Sequence, residues 1–380
     1  MILKIENQAL DYAWGSKTQI SDFFAVPATG KPMAEIWFGT HPSNPARISG
    51  ASGETLLQRL GHELPFMVKI LAAGSPLSIQ AHPNSKQAVR GFSRENTREI
   101  PLDAPNRNYR DDRHKPEIMV ALIDGFEALA GFRPQLEIRE LMTELETHGG
   151  ELGEYAGTWK KQVMNLAEVF NEMLSLGRRA KPLIDELKAV ESENERSAAQ
   201  IEIAKKIAVT YPADPGVLVT LLMNHVTLAA GEALALKPGQ IHAYLSGIGV
   251  EVMASSDNVL RGGLTKKHVD LAELGQVLSF DSVDVSKITA RVLARGLAIY
   301  ESGIDDFLLY RVQLDSGTVL ADLNLPGEGI LLCTTGQLVV SNSIGETLTL
   351  RRGEAAYISD DAKLFTLSSN GSGFFVTAKK

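Results

Sequence analysis

Apolar and polar positions change their period along this chain, and the changes mark out its architecture. From the start to about Pro134 the apolar pieces are short, such as Phe66-Met67-Val68-Lys69-Ile70-Leu71, and Pro, Gly and Asn punctuate them closely. That texture predicts short strands joined by turns. After Pro134 the repeat becomes helical: Ile138, Leu141, Met142 and Leu145 recur at helical spacing, as do Val163, Leu166, Phe170 and Leu174. Leu183, Leu187 and Val190 continue it, and Ile201, Ala204 and Ala208 follow. Asp214-Pro215 reads as an N-cap with proline at the first helical position. Strand character returns at about Val226 and lasts to the end. Residues 135–224 are therefore predicted to be a helical block between two β regions.

The second β region contains an internal echo. Gly231-Glu232-Ala233-Leu234-Ala235-Leu236-Lys237-Pro238-Gly239 and Gly345-Glu346-Thr347-Leu348-Thr349-Leu350-Arg351-Arg352-Gly353 share the pattern Gly-Glu-x-Leu-x-Leu-basic-x-Gly at an offset of 114. Each copy predicts a strand, a turn at the second glycine and another strand, which suits two related β modules. His242 in the first copy aligns with Ala356 in the second.

Composition narrows the partners. The 380 residues are 44% hydrophobic and 22% charged, with a net charge of -8, which disfavours nucleic acid or an anionic membrane as the main partner. A single cysteine, Cys333, excludes an internal disulfide framework and fits a reducing compartment, so a cytoplasmic protein is expected. No apolar run approaches membrane-spanning length and the N-terminus lacks a signal-peptide shape.

Candidate chemistry begins at Pro76-Leu77-Ser78-Ile79-Gln80-Ala81-His82-Pro83-Asn84. On a strand, Leu77, Ile79 and Ala81 face one way and Ser78, Gln80 and His82 the other. An amide oxygen and an imidazole on one face suit half of a metal site, although an edge strand with a polar face would look the same. Three segments add to it. Arg113-His114-Lys115-Pro116-Glu117 places a carboxylate at the mouth of an apolar strand; Pro238-Gly239-Gln240-Ile241-His242 delivers a lone histidine from a turn. Ser255-Ser256-Asp257-Asn258-Val259-Leu260-Arg261-Gly262-Gly263-Leu264-Thr265-Lys266-Lys267 concentrates hydroxyls, glycines and cations, as an anion site would. Gln80, His82, Glu117 and His242 together make a four-ligand nitrogen and oxygen set, without thiolates. Nucleotide-binding glycine loops and the Gly-x-Ser-x-Gly elbow are absent.

In these segments the chain resembles the type I phosphomannose isomerases, zinc enzymes of the cupin superfamily. The resemblance runs through Tyr12-Ala13-Trp14-Gly15, Ala34-Glu35-Ile36-Trp37, Gln80-Ala81-His82-Pro83-Asn84, His114-Lys115-Pro116-Glu117, Ile241-His242-Ala243-Tyr244-Leu245-Ser246-Gly247 and Ser256-Asp257-Asn258-Val259-Leu260-Arg261. It implies one zinc ion on Gln80, His82, Glu117 and His242, and a catalytic role for Arg261. Ser78, Lys69 and Lys267 become candidates for the substrate phosphate. Lys115, Trp14, Tyr244, Glu251 and Asp257 would line the site, with Lys115, Glu251 and Asp257 as rival general bases. The implied reaction interconverts mannose 6-phosphate and fructose 6-phosphate, and a monomer is expected. The implied fold is mainly β: a cupin-type sandwich or jelly-roll catalytic domain (1–134 with 225–275), a helical insertion (135–224) and a degenerate second cupin domain (276–380). An iron-dependent cupin oxygenase and a catalytically dead sugar-binding cupin are the alternatives.

Overall fold

The computed structural model describes residues 1–282, 285–323, 326–360 and 365–379. Among them the strands form two antiparallel sheets, one of nine strands and one of eleven. No helix among the described residues is long and apolar enough to cross a membrane.

The nine-stranded sheet is organised around one long strand, His242–Ala254. Its first residues pair with Gln80 and with Phe126–Phe132; its later ones pair with Phe66–Ala73 on one side and Glu117–Ala121 on the other. Gly247 sits at the change of partners with φ 116°, and a Cβ there would lie 2.8 Å from the Cα of Phe126. Glycine alone fits so close a backbone approach at positive φ.

Helices fill the predicted block: Gln135–His148, Gly150–Gln162, Leu166–Ser175, Ala180–Leu187, Glu195–Thr210 and Gly216–Val219. Their apolar faces share one core with Ile79, Ala81, Ile241, Ala243 and Leu260. The helices thus support, from behind, the strands that carry Gln80, His242 and Arg261.

Four details depart from the sequence pattern. The Gln80 strand spans only Gln80–Ala81, and Leu77 leaves the face of Ile79 and Ala81 to join a separate core with Tyr244. A helix, Ser85–Thr97, follows at once where only strands and turns were expected. It starts because the Asn84 side chain accepts from the Gln87 amide while the Gln87 side chain accepts from the Asn84 amide. The proposed N-cap shifts by one: Pro215 occupies the cap position and Asp214 accepts from the Gly216 amide at 2.8 Å. Finally, Ile2–Glu6, grouped by sequence with residues up to 134, pairs with Ala355–Ile358 and so belongs to the eleven-stranded sheet. The strand finds there both a backbone partner and a buried place for Ile5, in a core shared with Val68, Val250, Ile330 and Tyr357 of both sheets.

The echo has matching local conformations. Gly231 and Gly345 have φ 82° and 89°, Gly239 and Gly353 have φ 81° and 85°, and the strands Ala233–Leu236 and Thr347–Arg351 lie between them. Ala356 is fully buried among apolar side chains, including Leu331 and Phe375.

Candidate active site

Three chain segments converge on one buried cluster. Glu117 opens the strand Glu117–Ala121, His242 opens His242–Ala254, and His82 follows Gln80–Ala81. Ligand atoms of His82, Glu117 and His242 all lie within 4.8 Å of one another. Nε2 of His82 is 3.5 Å from Oε2 of Glu117, and Nε2 of His242 is 3.1 Å from Oε1. Gln80 is the direct cross-strand neighbour of His242 on one side and of Arg261 on the other.

The donor arrangement fits a cation. Nδ1 of His82 lies 2.7 Å from the Asn258 carbonyl, and Nδ1 of His242 lies 3.0 Å from the Gln240 carbonyl. A carbonyl only accepts, so each Nδ1 carries the proton and each Nε2 turns a lone pair toward the Glu117 carboxylate. Two lone pairs facing an anion repel unless positive charge lies between them. Nε2 of His82 is buried without a hydrogen-bond partner among the described residues. The amide nitrogen of Gln80 donates to Ser78 Oγ at 3.4 Å, so its oxygen is not the atom engaged there. Zinc accepts such nitrogen and oxygen donors, with the second ring nitrogen of each histidine held by a carbonyl.

Electrostatics agree with this. Burial, then the charge of Lys115, pulls His82 down to about 4. Burial alone would raise Glu117, but His82 and His242 hold it well below the ordinary carboxylate range. Unfolded, His82 takes up its proton near 6.5; folded and metal-free, only near 4. Between those values the unfolded chain binds more protons, so metal-free stability is expected to fall as pH drops from about 6.5 to about 4, by on the order of 2–3 kcal/mol. Urea midpoints of the metal-free protein at pH 7 and pH 5 check this; equal midpoints would contradict it.

Around the cluster, Lys115 Nζ stands 3.9 Å from Glu117 Oε2, and the Tyr244 hydroxyl donates to Glu117 Oε1 at 3.2 Å. Burial, then Glu117 and Glu251, pushes the Tyr244 hydroxyl well above its usual value, so it remains a donor. Lys69 is committed elsewhere. Its ammonium is 3.0 Å from Glu251, 3.9 Å from Glu35 and 5.0 Å from the Trp37 ring centroid. Burial works against its charge, but the two carboxylates override burial and raise its pKa. Replacing Lys69 with Met strands two buried carboxylates and is expected to cost about 3–5 kcal/mol, readable as a lower Tm. Trp14 is partly buried against the core that holds Tyr244, and its carbonyl accepts from the Gly74 and Ser75 amides.

Positive charge gathers beside the cluster. Arg261 is half-buried and Lys267 exposed, and neither forms an ion pair among the described residues. Burial, then Arg110, lowers Arg261; burial, then Arg261 and Arg110, lowers Lys267. Asp257 lies toward the surface with Oδ1 3.5 Å from Nε2 of the buried His41. Sequence reasoning gave no role to Asn258, His41, Glu35 or Arg110. Asn258 was the most accessible of these, since a fully buried asparagine in a polar turn must be satisfied: its side chain binds the 110–113 backbone while its carbonyl orients His82.

A family model described as the catalytic domain of type I phosphomannose isomerase matches residues 2–135. Mannose-6-phosphate isomerase of Salmonella typhimurium is 34% identical over 393 residues, covering 97% of each chain. The Homo sapiens mannose-6-phosphate isomerase is 32% identical, covering 91% of this chain and 90% of the relative. A zinc-bound holo mannose 6-phosphate isomerase structure superposes with TM-score 0.87 at 32% identity over 100% of both chains. The apo form from Salmonella typhimurium matches equally, with TM-score 0.87 at 31% identity over 100% of this chain and 99% of that one. A buried His82, Glu117 and His242 centre, on a fold and sequence shared end to end with these enzymes, shows that the chain belongs to the type I phosphomannose isomerase family.

Proposed function

We propose that this enzyme interconverts mannose 6-phosphate and fructose 6-phosphate by moving a proton between C1 and C2 through a cis-enediol(ate). The observation that carries the reading is the buried Nε2 of His82, without a hydrogen-bond partner among the described residues and facing Glu117 and His242, near Arg261 and Lys267, which form no ion pair among those residues. Gln80, His82, Glu117 and His242 would hold zinc, which would supply Lewis-acid stabilisation of oxygen charge. Arg261, the backbone neighbour of Gln80, places fixed positive charge beside the same oxygens; a guanidinium stays protonated and does not serve as the base. Lys267 and Arg110 take the phosphate, with Ser78 beside Gln80 as a further contact. Lys69, bound to Glu251 and Glu35, orders the site from within its wall.

We assign the C1–C2 proton transfer to Lys115. Of the three candidate bases it alone stands beside a metal-ligand residue without a closer ion-pair partner among the described residues, where the charge of a bound cation would favour its neutral amine, whereas Glu251 is tied to Lys69 and Asp257 lies beside His41. Lys115→Met should lower kcat about 10²–10⁴-fold while zinc per chain stays constant. Unchanged kcat would move the role to Asp257.

The buried Cys333 and the acidic balance support a cytoplasmic enzyme, and we propose that it acts as a monomer, to be checked by sedimentation. We also read residues 276–380 as a second, metal-free cupin module and 135–224 as an insertion into the first. A coupled assay following fructose 6-phosphate from mannose 6-phosphate, without oxygen and with or without chelator, tests the function. Lack of product from the zinc-loaded protein would refute it.

A further inference from the structure

The loop behind Arg261 holds an unusual backbone. Leu264 adopts φ 53° while only 1% exposed, and Gly263 before it has φ 118°. A branched, buried residue in the left-handed region is strained and persists only where its surroundings over-determine it. Here the surroundings come from the end of the helical segment. Oδ1 of Asp214 accepts from the Leu264 amide at 2.9 Å and the Gly216 amide at 2.8 Å, and Oδ2 accepts from the Thr265 amide at 2.9 Å. The backbones touch: a Cβ on Gly216 would lie 2.6 Å from the Leu264 nitrogen, and one on Gly263 would lie 2.6 Å from the Gly216 Cα. Three residues before Asp214, the Tyr211 hydroxyl donates to the Pro76 carbonyl at 2.9 Å, at the start of the segment that carries Ser78 and Gln80. The two segments held in this way are also joined to each other, Gly262 amide to Ile79 carbonyl at 2.8 Å and Ile79 amide to Gly263 carbonyl at 3.1 Å.

The Asp214 carboxylate is therefore spent on main-chain amides. It forms no ion pair among the described residues, so it shapes the loop without neutralising Lys267 or Arg261. We propose that Asp214 is a positioning residue for substrate phosphate: the helical segment reaches across through it to fix the loop on which Arg261 and Lys267 stand. This rests on the reading that Lys267 binds the phosphate.

The zinc-loaded enzyme tests it by steady-state kinetics on mannose 6-phosphate, with inorganic phosphate as competitive inhibitor. Asp214→Asn keeps the side-chain shape but replaces one acceptor by a donor. It should raise both KM and the phosphate inhibition constant about tenfold, with a smaller change in kcat, wild-type zinc per chain and a modestly lower Tm. Tyr211→Phe, the milder variant, should raise both constants less and serves if Asp214→Asn does not fold. Wild-type constants in a folded Asp214 variant, or in Tyr211→Phe where no Asp214 variant folds, overturn the inference. So does a fall confined to kcat, zinc content and Tm, which marks a merely structural aspartate. Lys267→Ala separates the two readings. If it leaves both constants unchanged, the phosphate assignment falls and the inference with it. If it raises both while Asp214→Asn does not, the inference alone fails.

Discussion

Removing the metal is expected to lower turnover by about 10³-fold or more, since Lewis-acid stabilisation is worth several kcal/mol and each 1.4 kcal/mol is a factor of ten. Glu117→Gln should do the same by a different route. The carboxylate faces both histidine Nε2 atoms, at 3.5 Å and 3.1 Å, and is the one anion of the His82, Glu117 and His242 cluster. An uncharged amide there balances less of a divalent ion's charge, and zinc per chain should fall well below one. Metal analysis alongside the coupled assay reads both outcomes. Chelated protein should recover on adding zinc, whereas Glu117→Gln should recover only in part. Full turnover by metal-free protein would rule out the metal's role.

Arg261→Ala is expected to cost about 10²–10³ in kcat, the usual cost of removing one preorganised group that stabilises charge in the transition state. The argument rests on location. Its backbone pairs with Gln80, its side chain is half-buried, and no carboxylate pairs with it among the described residues, so its charge is free for substrate oxygen. Arg261→Lys should recover only part of the loss, because an ammonium offers a point charge where the guanidinium offers a planar fork. Zinc content should remain that of wild type in both variants. If Arg261→Ala instead raises KM with kcat intact, the guanidinium binds substrate without stabilising the transition state.

Much of this was legible in the sequence, for identifiable reasons. Helical periodicity located the block after Pro134, because a one-sided apolar stripe has to be buried and Ile138, Leu141, Met142 and Leu145 are buried together. Residue type and local context nominated His82, Glu117 and His242, which the fold brings within ligand distance of one another. The helix Ser85–Thr97 was also legible, since Asn84 and Gln87 have capping-box spacing, but the strand-and-turn texture before Pro134 masks it. Other features could not be read from local pattern. Lys69 looks like an available cation until the register places it opposite Glu251 and next to Trp37 in the neighbouring strands. Asp214 looks like a helix start, and its bonds to Leu264 and Thr265 depend on a contact about 50 residues away in sequence.

The strand Ile2–Glu6 carries a consequence for biogenesis. One of its partners, Arg47–Ile48, follows soon in the chain, but the other, Ala355–Ile358, is made much later, with Lys4 reaching Glu354 across 350 positions. At ordinary elongation rates the nascent chain waits on the order of tens of seconds with one edge of that strand unpaired. That edge is covered only once Ala355–Ile358 has been translated. A polypeptide truncated before Ala355 thus leaves a bare edge at its amino end, where chaperones or other nascent chains would find it.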